Sequence, residues 1–336
     1  MRLLITGGAG FIGTALIGHL LDATPHDVLN IDVLGYPANR DALAKFSAHS
    51  RYRFVRGDIN DADLLGELFG QQRPQTVIHL AAQTHVDRSI EAPYAFLRDN
   101  VDGTFTLLET ARSYWASLES AQRDAFRFLH VSTDEVFGGP PQRIDEHTPY
   151  GPHSPYAASK AAADFFVKAS RHTYGFPAIV THASNNYGPY QFTEKLIPHT
   201  ISCALHEAQI PVYGDGSNVR DWLHVDDHVR ALMLLLEQPA DGAQYLIGGN
   251  NPLSNLDVVQ RICALLDDQR HRPAGQHAGL ITHVTDRPGH DRRYDVDFGK
   301  LTSELGWRPG IDFTTGLAAT LEWYIERFEA GLLPAP

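Results

Sequence analysis

The residues best suited to chemistry in this chain fall into two groups. Thr133, Asp134 and Glu135 follow an apolar run at 128–131, and Tyr156 and Lys160 stand one helical turn apart behind the helix-start signal Ser154-Pro155. Positions i and i+4 of a helix share a face. A phenol beside an ammonium is stabilised as phenolate, so the spacing predicts a tyrosine of lowered pKa that acts as a base near neutral pH. Two adjacent carboxyls disfavour each other's ionisation, which leaves one able to donate a proton while the other accepts one. The competing reading of Asp134 and Glu135 is a solvated strand end or a helix cap.

These groups need elements to hold them. A short apolar run that stops at a polar cluster is the pattern of a buried strand in a parallel sheet, and open parallel sheets bind ligands at the carboxyl ends of their strands. The chain opens the same way, with a strand over 2–7, then Gly7-Gly8-Ala9-Gly10-Phe11-Ile12-Gly13, then a helical run over 11–21. This is a variant of the dinucleotide fingerprint. The first glycines allow the tight turn, Gly10 lets the backbone approach a pyrophosphate, and Gly13 lets helix and strand pack closely. A tight β–α turn with no ligand is the plainer alternative. A second strand at 28–31 ends in Asp32, positioned for ribose hydroxyls and repelling a 2′-phosphate, so NAD is favoured over NADP. Asp32 to Tyr36 reads as a loop, followed by a helix at 41–48.

Further strands at 52–56 and 76–80 end in Gly57-Asp58-Ile59 and in Ala81-Ala82-Gln83-Thr84-His85. Asp58 and Ile59 reach the adenine edge, unless Asp58 caps the helix that starts near Asp61. A long amphipathic helix is read over 93–118, with Asn100 in its early part. The alternation predicts an α/β fold, a Rossmann-type doubly wound parallel sheet. After a strand at 178–181 the pattern loosens into helices at 194–208, 229–236, 255–267 and 312–330 and strands at 211–213 and 245–247. The expected division is a dinucleotide-binding domain over 1–183 and a smaller mixed α/β substrate-binding lobe over 184–336, with segments returning to the first.

With 336 residues, 20% charged and 43% hydrophobic, the chain has an ordinary globular composition. A net charge of −12 argues against a nucleic acid or an anionic membrane as partner. Cys203 and Cys263 lie in apolar helical patterns and read as buried free thiols, and no metal set is evident. The opening apolar run is too short for a signal peptide, and no stretch is long enough to span a bilayer, so a cytoplasmic location is expected.

With these residues in view, the chain resembles the extended short-chain dehydrogenase/reductase superfamily and, within it, the nucleotide-diphosphate-glucose 4,6-dehydratases, above all those acting on dTDP-glucose. The resemblance covers nearly the whole length, through TGGAGFIG, HLAAQTHVDRSI, VSTDEVFG, SPYAASKAAAD, NNYGPYQFTEKLIP, VYGDGSNVRDWLHVDDH and DRPGHDRRY. Tyr-x-x-x-Lys belongs to the whole superfamily; the Thr-Asp-Glu run is the selective signal. The resemblance implies a resident NAD, C4 oxidation with Tyr156, Lys160 and Thr133, loss of water across C5–C6 with Glu135 as base and Asp134 as acid, and hydride return to C6. It implies NAD contacts at Phe11, Ile12, Asp32, Val33, Leu34, Gly35, Asp58, Ile59, Leu80, Ala81, Ala82, Gln83 and Asn186. It implies nucleotide-sugar contacts at Thr84, Asn185, Lys195, Leu196, Pro211, Val212, Tyr213, Arg220, Asn255, Asp286, Arg287, Pro288, Gly289 and His290. Arg220 and Arg287 suit a diphosphate, since a guanidinium forks onto phosphate oxygens; an ion pair of Arg220 with Asp221 or Asp226 is the rival. A homodimer packed through 93–118 and 154–174 is also implied.

The chain departs from the family pattern at Gln83-Thr84, where Glu-Ser is usual, and at Asp99, Phe137 and Thr193, where Thr, Tyr and Pro are usual. These touch loop shape and cofactor surroundings. Alternatives on the same scaffold are a UDP-glucose 4,6-dehydratase, a 4-epimerase or a glucuronate decarboxylase, the last two having no need of the Asp134–Glu135 pair. A non-catalytic NAD-binding protein is the alternative from another class.

Overall fold

The computed structural model describes residues 1–35, 38–140, 142–237 and 244–336; Tyr36 lies outside the described residues. Its strands are β1 (Arg2–Thr6), β2 (Asp27–Asp32), β3 (Tyr52–Arg56), β4 (Thr76–His79), β5 (Arg127–Thr133), β6 (Ala178–Ala183), β7 (Asn185–Tyr187), β8 (Ile210–Tyr213), β9 (Val219–His224), β10 (Gln244–Ile247), β11 (Pro252–Ser254) and β12 (Ile281–Val284).

Seven of them form one parallel sheet in the order β10-β6-β5-β4-β1-β2-β3. β4 and β6 are buried along their whole length, as continuous rather than alternating apolar runs require. One face packs on Leu16, Ile17 and Leu20 of the helix Phe11–Ala23 and on Leu232 and Leu235 of Val225–Glu237. The other packs on Leu65, Leu68 and Phe69 of Ala62–Gln72, Leu107 and Leu108 of Gly103–Ala116, and Val167 of Pro155–Tyr174. The chain winds from β1 to β2 and β3 on one side, and to β4, β5 and β6 on the other. The reversal opens a crevice at the carboxyl ends of β1 and β4.

A separate core forms where the helices Leu196–Leu205, Asn255–Gln269 and Phe313–Glu329 meet, through Ile201, Val258, Ile262, Leu317 and Leu321. Two small sheets, β11-β9-β7 and β12-β8, edge this part. β10 and the helix Val225–Glu237 follow residue 184 in sequence yet complete the large sheet and its cover.

The helix expected over 93–118 runs without interruption from Pro93 to Ala116 but widens near its start. A helix Pro93–Phe96 passes into a π-turn Leu97–Asp102 before Gly103–Ala116 begins. The wider turn brings Asn100 inward, where Oδ1 accepts the Gln83 N–H at 2.7 Å and Nδ2 donates to Gln83 O and Ser159 Oγ at 3.0 and 2.8 Å. One side chain so ties the end of β4 to the helix that carries Tyr156. An amphipathic pattern barely changes when one turn widens, so the sequence did not reveal it. The helix expected from 194 starts at Leu196, because Lys195 is extended. Cys203 and Cys263 are buried and unpaired, and no described helix is long and apolar enough to cross a membrane.

Gly13 shows how closely the first turn is packed: a Cβ there would lie 2.5 Å from Gly7 O and 2.6 Å from Gly8 Cα. Gly13→Ala is expected to destabilise the fold by about 1–3 kcal/mol, the usual cost of overpacking, measured by urea unfolding; an unchanged midpoint would contradict it.

Candidate active site

Gly7 leaves β1 at φ +72, and a Cβ on it would lie 2.6 Å from the Ala81 backbone, so only glycine fits. Its carbonyl accepts the Gly10 N–H at 3.1 Å. Gly10 precedes the helix Phe11–Ala23 with no side-chain cap, leaving the first-turn N–H groups and the positive end of the dipole for an anion. Asp32, at the end of β2, faces the same turn. Its Oδ2 accepts the Ala9 N–H at 3.0 Å and its Oδ1 the Leu34 N–H at 2.8 Å, and each oxygen keeps acceptor capacity for a ribose hydroxyl. Burial pushes the Asp32 carboxyl up against those two bonds.

These groups open on a cleft of about 570 Å³. Its wall takes in Gly7, Gly10, Phe11, Ile12, Gly13, Asp32, Val33, Gly35, Asp58, Ile59, Leu80, Ala81, Ala82 and Gln83, and continues through Thr84, Thr133, Glu135, Tyr156, Lys160, Asn185, Asn186 and Lys195. Leu34 stands apart: it adopts φ 55 and packs on the core. Asp58 does not cap a helix. Its Oδ1 accepts from Asn60 N and Nδ2, both at 2.9 Å, while Asp61 caps Ala62–Gln72 through Leu64 N. His85 is a cap, accepting from Arg88 N at 3.4 Å. The Asn186 amide is fixed, donating to Ser184 O and accepting from His228 Nδ1, each at 2.9 Å.

β5 carries Thr133 to the cleft floor, and a 3-10 turn, Asp134–Phe137, presents the two carboxyls. Thr133 Oγ1 accepts the Glu135 N–H at 3.2 Å and donates to Asp134 Oδ1 at 3.3 Å. Asp134 is 1% exposed, and its Oδ2 has no partner. Burial, then the charge of Glu135, push the Asp134 carboxyl well above its usual range, which favours its neutral form. Burial raises Glu135 too, but Arg287, Arg220 and Lys195 work against that rise. Both carboxyls are raised, and neighbouring charges treat them differently: Glu135 adds to the rise of Asp134, while three cations oppose that of Glu135.

Ser154 accepts the Ala157 N–H at 3.1 Å and Pro155 fills the first position, so the helix Pro155–Tyr174 begins where its signal stands. One expectation is corrected here. The Tyr156 phenol is not lowered by Lys160. Burial and the Glu135 charge push it well above its usual value, opposed by a hydrogen bond with Thr133. The Lys160 ammonium donates to Val131 O at 2.9 Å, and burial brings it down to about 8. Helical spacing alone omitted the cost of burying a phenolate.

Behind Lys160, one turn further on, lies a buried carboxylate the sequence reading missed. Asp164 accepts from His130 Nε2 at 3.0 Å on Oδ1, and on Oδ2 from Ser132 Oγ at 2.9 Å, His182 Nε2 at 2.9 Å and Tyr150 OH at 3.0 Å. Lys168 donates to Tyr150 OH at 2.7 Å. Burial pushes Asp164 up, but the hydrogen bonds from His130 and His182 overrule it and hold the carboxyl far below its usual range. Burial pushes His130 down to about 4, so the histidines are neutral donors. The signal was present: Tyr156, Lys160, Asp164 and Lys168 repeat at i+4 along one face.

The remaining candidates rim the cleft or lie beyond it. Lys195 Nζ donates to Thr84 O at 2.8 Å; Leu196 opens the next helix. Tyr213 OH and Arg287 Nη1 both donate to Asp87, at 3.1 and 3.5 Å, and Asp286 accepts from His290 Nδ1 at 2.6 Å. Arg220 is buried, donating to Val219 O and Asp291 O at 2.7 and 2.9 Å and stacking 4.4 Å over Tyr294. Its charge acts on Asp134 and Glu135. Pro211, Asn255 and Pro288 are not part of the cleft wall. Gly289 lies against the His153 carbonyl, and the Val212 side chain is in the smaller core. Two departures from the family pattern meet each other: Gln83 Nε2 donates to Asp99 Oδ2 at 2.8 Å. Phe137 packs its ring on Tyr150 and His182, at 5.1 and 5.0 Å.

Comparison with known proteins agrees with this geometry. Residues 4–320 match the family described as GDP-mannose 4,6 dehydratase. The chain is 51% identical over 329 residues to the probable dTDP-glucose 4,6-dehydratase of Sinorhizobium fredii, covering 97% of this chain and 93% of the relative. It is 48% identical over 336 residues to dTDP-glucose 4,6-dehydratase 1 of Escherichia coli, covering 97% and 93%. The crystal structure of the dTDP-glucose 4,6-dehydratase DesIV from Streptomyces venezuelae, with NAD and TYD bound, superposes with a TM-score of 0.87 at 43% identity, covering 98% of each chain. A cleft built on the glycine turn, an Asp134–Glu135 pair at the end of β5 and similarity along the whole length lead to one assignment: the chain belongs to the nucleotide-sugar 4,6-dehydratase family, among the dTDP-glucose 4,6-dehydratases.

Proposed function

We propose that the protein dehydrates dTDP-glucose to dTDP-4-keto-6-deoxyglucose, using NAD, in deoxysugar biosynthesis. The carrying observation is the Asp134–Glu135 pair, with Asp134 buried and Glu135 on the cleft wall beside Tyr156 and Lys160. An epimerase on this fold needs the second pair and not the first.

The cofactor fits the residues present. A glycine cradle that a Cβ would fill, an uncapped helix start and a carboxylate with spare acceptor capacity match a pyrophosphate and a ribose. When bound, NAD accepts the C4 hydride and returns it at C6, and its cationic ring adds the positive charge that a phenolate needs. Tyr156 takes the C4 hydroxyl proton, with Thr133 orienting that hydroxyl. The C4 ketone acidifies C5, and Glu135 removes the C5 proton and later returns it. Asp134, its neutral form favoured, gives its proton to the departing C6 hydroxyl. Thr84, Asn185, Lys195, Leu196 and the segments 211–213 and 286–290, with Arg220 and Asn255, are the proposed contacts of the nucleotide sugar. Residues 1–183 are proposed as the cofactor domain and 184–336 as mainly the substrate lobe.

Mass spectrometry of dTDP-glucose deuterated at C4 tests the reaction: loss of one water with the label retained at C6 is expected without added reductant. An unchanged mass refutes it, and a galactose-configured product indicates an epimerase. Asp32→Ala is expected to lower the NAD retained through purification by roughly tenfold, for the loss of about 1.4 kcal/mol of charge-assisted hydrogen bonding; full cofactor content counts against the ribose contact.

A cytoplasmic homodimer completes the proposal. Phe105 and Phe166 meet edge to face at 5.2 Å across the two helices expected to pair, and with Leu97, Phe165 and Tyr174 they leave apolar surface exposed. Sedimentation equilibrium is expected to return twice the 37.2 kDa chain mass; a monomer at micromolar concentration rejects the pairing.

A further inference from the structure

The proton count of the proposed reaction, on which this inference rests, assigns Thr133 a duty beyond orienting a hydroxyl. Over one turnover the C4 hydroxyl gives a proton to Tyr156. C5 gives one to Glu135 and receives it back. The C6 hydroxyl leaves as water with the proton of Asp134, and the hydride taken from C4 returns at C6. The sugar has lost one water and nothing else. The protein, however, is not where it began: Tyr156 holds one proton too many and Asp134 one too few. No second turnover starts until a proton has passed from phenol to carboxyl.

Thr133 stands between them. Its hydroxyl shares the cleft wall with the Tyr156 phenol, where it opposes the rise of that phenol, and it lies 3.3 Å from Asp134 Oδ1. A hydroxyl has one donor and two acceptor sites. The Glu135 N–H occupies one acceptor site at 3.2 Å, the O–H faces Asp134, and one lone pair remains for the Tyr156 O–H. Other routes to Asp134 are narrow. Asp134 is 1% exposed; among the described residues Thr133 is the partner of its Oδ1, and Oδ2 has none. Tyr156 is 7% exposed. Lys160 directs its ammonium at the Val131 carbonyl, and Asp164 beyond it already accepts from four donors.

We infer that the Thr133 hydroxyl is the relay that resets the site, giving its own proton to Asp134 as it takes the one on Tyr156. The Tyr156 O–H bond breaks as a new Thr133 O–H forms, and the old Thr133 O–H breaks as the Asp134 O–H forms. Negative charge passes from carboxylate to phenolate, and neither solvent nor a co-reactant enters the balance. Burial raises the proton affinity of both ends, so the exchange is confined to the three side chains that share it.

The test compares wild-type holoenzyme with Thr133→Val and Thr133→Ser, in single-turnover and steady-state runs on dTDP-glucose in weak buffer. Wild type is expected to hold one rate from the first turnover onward, indifferent to added imidazole or formate. Thr133→Val is expected to lose rate in its first turnover, where Thr133 orients the C4 hydroxyl, and to slow by a further roughly 100-fold from the second turnover onward, the usual worth of a placed proton carrier; only that further loss is recovered as the small acid or base is added. Thr133→Ser should behave as wild type. Infrared difference spectra after one turnover give a second readout. The carbonyl band of protonated Asp134, identified by its absence in Asp134→Asn, persists in wild type and is missing in Thr133→Val until buffer is supplied. A Thr133→Val protein slowed equally in every turnover, with that band intact, overturns the relay, as does a wild-type rate that climbs with buffer. Recovery of unaltered sugar nucleotide from wild type instead rejects the dehydratase reading, a failure the product mass distinguishes.

Discussion

Glu135→Gln is expected to oxidise dTDP-glucose at C4 and then stop, so that the absorbance of the reduced cofactor accumulates and persists. The amide keeps the shape of the side chain and the hydrogen bond of its backbone N–H to Thr133 Oγ1, but it cannot take the C5 proton. Oxidation calls on Tyr156, Thr133 and Lys160, none of which is altered. Loss of a placed general base costs roughly 100- to 10,000-fold, and that loss falls wholly on the water-forming step. Stopped-flow absorbance separates the two steps. Turnover at the wild-type rate, or an equal loss in both steps, would remove Glu135 from its assigned role. One further effect follows from charge: Glu135 helps to keep Asp134 protonated and to raise the Tyr156 phenol. The variant should therefore also ionise Tyr156 at lower pH, moving the acid limb of C4 oxidation downward.

Asp164→Ala is expected to destabilise the protein by about 3–5 kcal/mol, the cost of breaking a buried ionic network from one side. It strands the donors of His130, His182, Ser132 and Tyr150, and it takes from Lys160 the carboxylate that raises its proton affinity against burial. Urea unfolding measures the loss, and a change below about 1 kcal/mol would show a network of no net worth. Acid acts on the same network in wild type. The folded His130 is lowered from 6.5 to about 4, so the unfolded chain binds more protons between those values, and stability falls as pH drops through that window. Asp164 adds a further loss at lower pH. Its folded value is depressed, so its contribution is present above the unfolded carboxyl value and disappears as pH falls below it.

The large sheet was legible because β1, β2, β4 and β5 are apolar runs ending in Gly7, Asp32, Ala81 and Thr133, where composition changes abruptly. The cleft was legible for the same reason, since parallel strands deliver their ends to one edge. The buried network was not read as a unit because its members are scattered. His130 and Ser132 look like ordinary strand residues until β5 pairs with β6 and brings His182 alongside. Tyr150 reads as loop. The π-turn at Asn100 and the short strands β7, β11 and β12 leave too few residues for any periodicity to register. The state of Tyr156 escaped for an energetic reason: spacing reports who is near, and burial decides what charge survives there.

The hold of one helix on β5 has a consequence for descent. Lys160 and Asp164 grip three successive residues of that strand, His130, Val131 and Ser132, and the next three are Thr133, Asp134 and Glu135. The proton-moving parts are therefore bolted into one rigid piece, whereas the side chains proposed to choose the sugar nucleotide arrive mostly on later segments. A lineage can drift at 211–213 or 286–290 and change its diet while the engine stays whole. A change at Asp164 spares no diet at all.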